Sequence, residues 1–429
     1  MRRKLLPAAL LLLTSCAFAG TDVYIGVSPG SGVKTQSLAL AQFRPARPGS
    51  EEDLALAGEF RDIVRADLLY SRYFDLKEAP LSRANLDDSP GSLAWWKALA
   101  PHLITAEARD AGPVWTFTAR LYDLSTGEPM LEKFYRGEKN ALRRAAHLFS
   151  DDVIMRLTGR EGIAHSKIAF ANNATGRKEI YMVDYDGHGL VRLTSDNSID
   201  LLPRWSQDGT RIYYTTYRWG NPDMFEIDLK AGKIRPFSTF QGLNIPGGFS
   251  PDGLTMVMTL SRGDDPGIYM LNVVTKKVKR ILKGFGVSSS PTWSPDGRQV
   301  AFISDLAGNP EVFVLDTDTG KTRKLTRFNW CDSPSWSPDG QWIVFSGRER
   351  RGDPLDIFLT DLTGSQIRRL TYQAGNNEDP SWSPDGRYIA FTSTRGGRRE
   401  IYIMDSDGSA PHPLVPGMKG YSYTPSWSP

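Results

Sequence analysis

Cysteine is almost missing from this chain: Cys16 and Cys331 are the only two in 429 residues. No disulfide framework and no cysteine-based metal site can be built from them, and a lone Cys331 thiol is expected to be open to oxidation. Histidine is scarce as well. His102, His147, His165, His188 and His412 stand far apart, with no HExxH and no ligand spacing that fits a metal. Charge of one sign is lacking, with 52 basic against 49 acidic side chains. Without Arg2, Arg3 and Lys4 the balance is 49 against 49, which removes the electrostatic case for nucleic acid. There is neither a P-loop nor a GxGxxG after a strand. The one catalytic string is Gly26-Val27-Ser28-Pro29-Gly30. A nucleophile elbow needs a helix after its serine, but residues 31–36 read as loop, and no further domain supplies a histidine and an aspartate. The string is a chance match. The reading excludes an enzyme and implies no cofactor and no metal.

Long apolar runs are limited to residues 5–13, which follow Arg2-Arg3-Lys4 and precede Ala17-Phe18-Ala19. That is the pattern of a secretory signal peptide over residues 1–19, too short to span a membrane. Cleavage after Ala19 would release a soluble periplasmic protein. Leu13-Thr14-Ser15-Cys16 also fits a lipobox, in which Cys16 would be acylated.

What the chain has in abundance is one phrase, Pro-x-Trp-Ser-Pro-Asp-Gly. It is complete at residues 291–297, 334–340 and 380–386, varied at 203–209 and 247–253, and cut off at 425–429. Its aromatic anchors, Trp205, Phe249, Trp293, Trp336, Trp382 and Trp427, lie 44, 44, 43, 46 and 45 residues apart. Each phrase leads into an alternating apolar run, a Gly-containing loop, a second run and a short strand ending in Leu-Thr. A period in the forties with four strands per repeat predicts the blades of a β-propeller. The array over residues 165–429 begins on a second strand and ends on a first strand. The last copy is therefore expected to complete the blade that Ile168-Ala169-Phe170 begins, closing a six-bladed ring in a chain that is whole. The tryptophans are expected to pack between blades, and Asp296, Asp339 and Asp385 to cap turns.

Residues 20–164 show no repeat and read as a small α/β domain. Strands are expected at 22–27, 38–43, 102–108, 114–122 and 130–135. A helix after a Ser50/Asp53 capping box, a short helix at 93–99 and an amphipathic helix at 142–157 complete it. Gly159 is placed as a helix C-cap and 159–165 as a hinge.

A propeller without chemistry binds through one mouth of its channel. Two loop sets open on the mouth opposite the Ser-Pro-Asp-Gly turns. The loop before each Pro-x-Trp strand carries Asp200, Asn244, Ser288, Ser289, Asn329, Trp330, Asp332, Asn377, Glu378, Asp379, Tyr421 and Tyr423. The loop between second and third strands carries Asn173, Arg218, Trp219, Arg262, Asp305, Arg348 and Arg395. Tryptophan, tyrosine and arginine are hot-spot residue types, so this mouth is the expected partner-binding face.

The order of signal peptide, α/β domain and six Pro-x-Trp-Ser-Pro-Asp-Gly blades resembles the TolB family of the bacterial Tol-Pal system. The resemblance implies a monomeric periplasmic scaffold for outer-membrane integrity and cell division. Its propeller mouth would bind Pal, a peptidoglycan-associated lipoprotein, with the loops around Leu243-Asn244 and Ser288-Ser289-Ser290 facing it. Its N-terminal segment, with Asp22, Val23, Ile25 and Val27, would contact TolA, and other outer-membrane proteins are further possible partners. Leu243 departs from the family pattern, where a histidine is typical, and so does the lipobox around Cys16. The alternatives are the propeller of a prolyl-oligopeptidase-like hydrolase, which needs an α/β-hydrolase domain, and an outer-membrane assembly lipoprotein.

Overall fold

The computed structural model describes residues 35–80, 89–262, 265–282 and 286–429. The expected leader with Cys16, the Gly26–Gly30 string and the segment holding Asp22, Val23, Ile25 and Val27 lie outside them. Among the described residues no helix is long and apolar enough to cross a membrane.

The first half is an α/β layer. Its strands are β1 (Gln36–Leu40), β2 (Arg44–Pro45), β3 (Phe74–Glu78), β4 (His102–Asp110), β5 (Val114–Asp123) and β6 (Glu128–Glu138), ordered β3-β1-β4-β5-β6 with β2 on β4. Helices α1 (Glu51–Ser71) and α3 (Leu142–Thr158) cover one face, where Phe60 stacks on Phe117 at 4.1 Å and touches Phe149. The short α2 (Pro90–Lys97) buries Trp96 in a separate apolar cluster with Ala39, Leu103 and Tyr122. Only half of the capping box forms. Ser50 Oγ accepts the Asp53 N–H at 3.2 Å, but the Asp53 carboxylate turns to Arg47 and to the Asp110 N–H. The Arg47 guanidinium holds that carboxyl far below the usual range. Strands β2 and β3 escape a sequence reading because one has two residues and the other follows α1 with no breaker but the left-handed Arg72.

The second half is a six-bladed β-propeller. Blades 2 to 6 are antiparallel four-stranded sheets over residues 200–238, 244–280, 288–324, 330–369 and 377–413. Blade 1 joins Ser422–Trp427 to Lys167–Asn172, Glu179–Asp184 and Val191–Arg192, so the chain's last strand closes the ring with its first. Lys167 N–H donates to Ser428 Oγ, Ser428 N–H to Lys167 O, and the Trp427 indole to Ser166 Oγ at 2.8 Å.

The repeated phrase has a mechanical reading. In Ser-Pro-Asp-Gly the serine hydroxyl donates to the aspartate, at 2.5 Å for Ser250–Asp252, Ser294–Asp296, Ser337–Asp339 and Ser383–Asp385. The same aspartate accepts the N–H two residues on, and the serine accepts the N–H five residues on. The glycine sits at φ 65° to 71°, which a side chain resists. The tryptophans join blades: the indoles of Trp205 and Trp382 donate to the Ser426 and Ser335 carbonyls of the preceding blades.

The α/β layer docks on the Ser-Pro-Asp-Gly end of blades 6 and 1. Tyr70 lies between Tyr185 and Tyr388, at 5.0 and 4.8 Å between rings. Arg387 and Tyr388 donate to the Ser71 and Tyr70 carbonyls at the end of α1. Asp67 accepts from His147 Nδ1 at 2.9 Å and from Tyr185 OH at 2.7 Å, all three buried. The connector is tied rather than free as a hinge: Asp151 accepts the N–H groups of Ala164 and His165 and the His165 ring. A Cβ on Gly162 would meet the Asp151 carboxylate at 2.1 Å, so glycine is required there.

Trp427→Ala removes a 6 % exposed ring and the closing indole hydrogen bond. It is expected to cost about 3–5 kcal/mol in urea unfolding. A loss below about 1 kcal/mol would mean that the ring does not depend on this closure.

Candidate functional site

Six innermost strands stand side by side around the axis and line the channel. Asp200, Asn244, Ser288, Asn377 and Ser422, which begin their strands, and Cys331, the second residue of its strand, each donate their backbone N–H to the carbonyl just before the third strand of the preceding blade, at 2.7–3.0 Å. All six of these strands also bulge, blade 3 between Pro246 and Phe249 and the others at a left-handed residue. The register slips between Leu201 and Arg204, Ser289 and Thr292, Asp332 and Ser335, Glu378 and Ser381, and Tyr423 and Ser426. A left-handed residue sits in each of these five slips: Leu202, Ser290, Ser333, Asp379 and Thr424, at φ 49° to 56°. Such bulges turn side chains that strict alternation would send elsewhere.

Polar groups thereby meet across neighbouring blades. Ser290 Oγ donates to Asp332 and Ser333 Oγ to Asp379, at 3.1 and 2.9 Å. Burial raises the Asp332 carboxyl, and the nearby Asp379 charge adds to it. Arg204 projects from blade 2 toward these carboxylates, and burial lowers its guanidinium. Glu378 pairs with Arg399, and Tyr423 carries Lys178 at 4.0 Å on its ring.

The expected binding residues divide into three groups. Asp200, Asn244 and Asn377 are 0 % exposed and Ser288 is 1 % exposed, so they are not the surface groups that the sequence reading made them. Their side chains shape the loops from within. Asn244 Nδ2 donates to the Phe240 and Gly242 carbonyls while its Oδ1 accepts from Ser238 and the Phe240 N–H. Asn377 donates to Asp356 and accepts from Ser393, and Ser288 donates to Ser304. Ser289, Asp332, Glu378 and Tyr423 are half-buried on the inner strands. Trp219, Trp330 and Tyr421 stand in solvent at 59 %, 39 % and 48 % exposure, with the Arg348 guanidinium over the Trp330 ring. Asn173 ties its loop to Tyr421 by backbone and side-chain hydrogen bonds.

The same loops expose Ile199, Tyr217, Val287 and Leu306, which sequence reasoning passed over. Their signal was positional: each lies beside an expected residue on a loop already assigned to this mouth. Together with Trp219, Trp330 and Tyr421 they make an apolar crown around the channel entrance. The α/β layer sits at the opposite end and leaves this crown uncovered. Cys331 is fully buried, and burial pushes its thiol up to about 12, so the expected susceptibility to oxidation is overturned.

Asp67, His147 and Asp186 are close enough to share an ion. Their atoms are already used: Asp67 by His147 and Tyr185, and Asp186 by Arg143, whose guanidinium would oppose a second cation. The arrangement works as a polar latch between the layers.

A family model described as the TolB beta propeller domain matches residues 154–350 and 328–429. The chain belongs to the TolB beta propeller family. A Tol-Pal system protein TolB of Geobacter sulfurreducens is 37 % identical over 211 residues, 48 % of each chain. One of Desulfosudis oleivorans is 34 % identical over 252 residues, 57 % of each. The chain spans about half the length of the curated relatives it matches. The crystal structure of TolB from Acinetobacter baumannii aligns with a TM-score of 0.75 at 25 % identity, over 92 % of this chain and 97 % of that one. The likeness thus extends beyond the propeller into the α/β layer.

One buried position has a measurable cost. Asp200 occupies a place where the other blades carry Asn, Ser or Cys, and burial raises its carboxyl to about 6 against the pull of Thr194 and Thr216. Its unfolded value is about 3.9, so folding takes up a proton between the two values and stability falls as pH rises through that window. Asp200→Asn is expected to stabilise the protein by roughly 1–3 kcal/mol at pH 7.5 and by little near pH 4. Urea unfolding at both values checks it, and an equal effect at the two would refute it.

Proposed function

We propose that this protein is a non-enzymatic periplasmic scaffold of a Tol-Pal system, in which the propeller mouth binds a Pal-like lipoprotein and the N-terminal segment binds TolA. The observation that carries the reading is the crown of Ile199, Tyr217, Trp219, Val287, Leu306, Trp330 and Tyr421 on the open mouth of a propeller of the TolB family. Exposed tryptophan and tyrosine on loops held by a rigid ring are the usual anchors of a protein interface. Half-buried Ser289, Asp332 and Glu378 below the crown offer a polar floor to a segment that enters the channel. The names of the relatives, Tol-Pal system protein TolB, support the assignment to that system. The leader pattern at residues 1–19 supports export to the periplasm, and Asp22, Val23, Ile25 and Val27 have the alternation of a segment that adds to a partner's sheet edge. Linking an outer-membrane lipoprotein to an inner-membrane partner would serve outer-membrane integrity and cell division.

The test is binding of the host's purified Pal lipoprotein, lacking its lipid, by calorimetry. The double variant Trp330→Ala, Tyr421→Ala is expected to weaken it by roughly 30-fold or more, as for loss of two anchors. Unchanged affinity in a normally folded variant would remove the crown from the interface. Deleting residues 20–34 should abolish TolA binding while leaving Pal binding in place.

A further inference from the structure

The longest unpaired strand edge among the described residues lies in the α/β layer. Strand β6 runs for 11 residues and pairs with β5 on one side only. The opposite edge strand, β3, has 5 residues, and no outer strand of a blade has more than 6. No proline interrupts β6 after Pro129. Edges of this length are normally covered or broken, because their free N–H and C=O groups pair with another strand.

The ladder says which groups are free. Leu124 N–H donates to Pro101 O and Ala111 N–H to Val114 O, so the even-numbered residues of β5 bond to β4. The odd ones bond to Leu131, Lys133 and Tyr135 of β6, which leaves the backbone groups of Glu132, Phe134 and Arg136 pointing outward. The side chains of these three share the sheet face away from α1 and α3, since Leu131 and Tyr135 pack on the helix side. Phe134 is 66 % exposed there, between exposed Glu132 and Arg136.

That order of side chains is self-complementary. When two copies of β6 run antiparallel about Phe134, each Phe134 faces the partner's Phe134 and each Glu132 the partner's Arg136. The outward backbone groups of all three residues are then matched. Other registers that join the outward groups fail. Centring on Tyr135 opposes Glu132 to the partner's Glu138, and centring on Lys133 leaves both charges unmatched. Centring on Glu132 or Arg136 sets like charges face to face.

The helix layer agrees with the same two-fold axis. Asp152 of α3 pairs with Lys133 at 2.8 Å, so its stripe of the helix lies toward β6. Leu148 and Met155, one turn to either side of Asp152, are 37 % and 43 % exposed. The neighbouring stripe, with Arg143, His147 and Asp151, faces the propeller and its connector. A two-fold rotation about Phe134 brings Leu148 toward the partner's Met155 over the joint.

We propose that β6 and α3 form a docking surface for a second copy of this chain, the two layers joining as one continuous sheet. This departs from the monomer that the family resemblance implies. The surface is separate from the crown at the other end of the propeller, so one dimer would carry two open mouths and hold two partners at once. One strand pair, one helix pair and a phenylalanine contact make a small interface, so association in the micromolar range is expected.

Sedimentation velocity of the full-length mature protein over about 1–300 μM should show monomer passing to dimer. Phe134→Lys changes an exposed side chain and should weaken association roughly tenfold or more. Glu132→Arg and Arg136→Glu should each weaken it alone. An equimolar mixture of those two variants should associate again, because each Glu–Arg pair is then restored in the reversed sense. Hydrogen exchange should slow at the Glu132, Phe134 and Arg136 amides as concentration rises. The proposal is overturned if the native protein stays monomeric throughout, if Phe134→Lys associates like the native chain, or if mixing the charge variants, each melting like the native protein, restores nothing. Loss of the dimer on deleting residues 20–34, or protection of the same amides in dilute monomer, would also reject it in favour of the chain's own N-terminal segment.

Discussion

Ring closure is the constraint on which the rest of this molecule depends. A blade buries its faces only against two neighbours, so five of the six sheets would be sound and the array still open if blade 1 lacked its inner strand. The strand Ser422–Trp427 fills that place after a sequence separation of some 250 residues, using ladder pairs from Ser422–Asn172 to Trp427–Ile168. The entropy of closing so long a loop grows only slowly with length. What returns it is burial of Trp427 and the joining of blades 6 and 1. The α/β layer then docks on those same two blades through Tyr70, Tyr185, Tyr388 and Arg387, so the joint of the ring and the joint of the layers coincide.

Within the ring, the inner strands have two duties that conflict. Their backbone must link blades, which it does through one N–H per blade to the preceding blade's carbonyl. Their side chains must also line a channel. The bulge before the proline resolves the conflict at the cost of a left-handed residue in five of six strands. Blade 3 is the exception because Pro246 occupies that place and its ring forbids positive φ; glycines follow it at 247 and 248. The polar belt of Ser290, Asp332, Ser333 and Asp379 is a product of this geometry.

Docking at one end settles where partners can approach. With the Ser-Pro-Asp-Gly end of blades 6 and 1 covered, the opposite mouth keeps its aromatic and aliphatic crown in solvent. The effect of docking is visible in a single residue type. Asp252 and Asp296 are held low by their serine hydroxyls, whereas Asp385, in the same motif but beneath α1, is raised by burial.

Much was legible in the residues alone. Six aromatic anchors at a period in the forties determined the blade count, the four-strand pattern and the closing strand, because a repeated turn motif needs only local chemistry to be recognised. The helices around Phe60 and Phe149 and the Gly159 cap were equally local. Burial was not. Asp200, Asn244, Ser288 and Asn377 are polar and sit before a motif, which reads as loop; they are enclosed because the preceding blade's third strand comes up against them from some twenty residues upstream. Ile199, Tyr217, Val287 and Leu306 read as ordinary strand neighbours, yet stand exposed because the α/β layer docks at the other end. Local pattern determines which strands exist and how they turn. Only the assembled tertiary structure decides which side chains meet solvent, since that depends on neighbours brought from elsewhere in the chain.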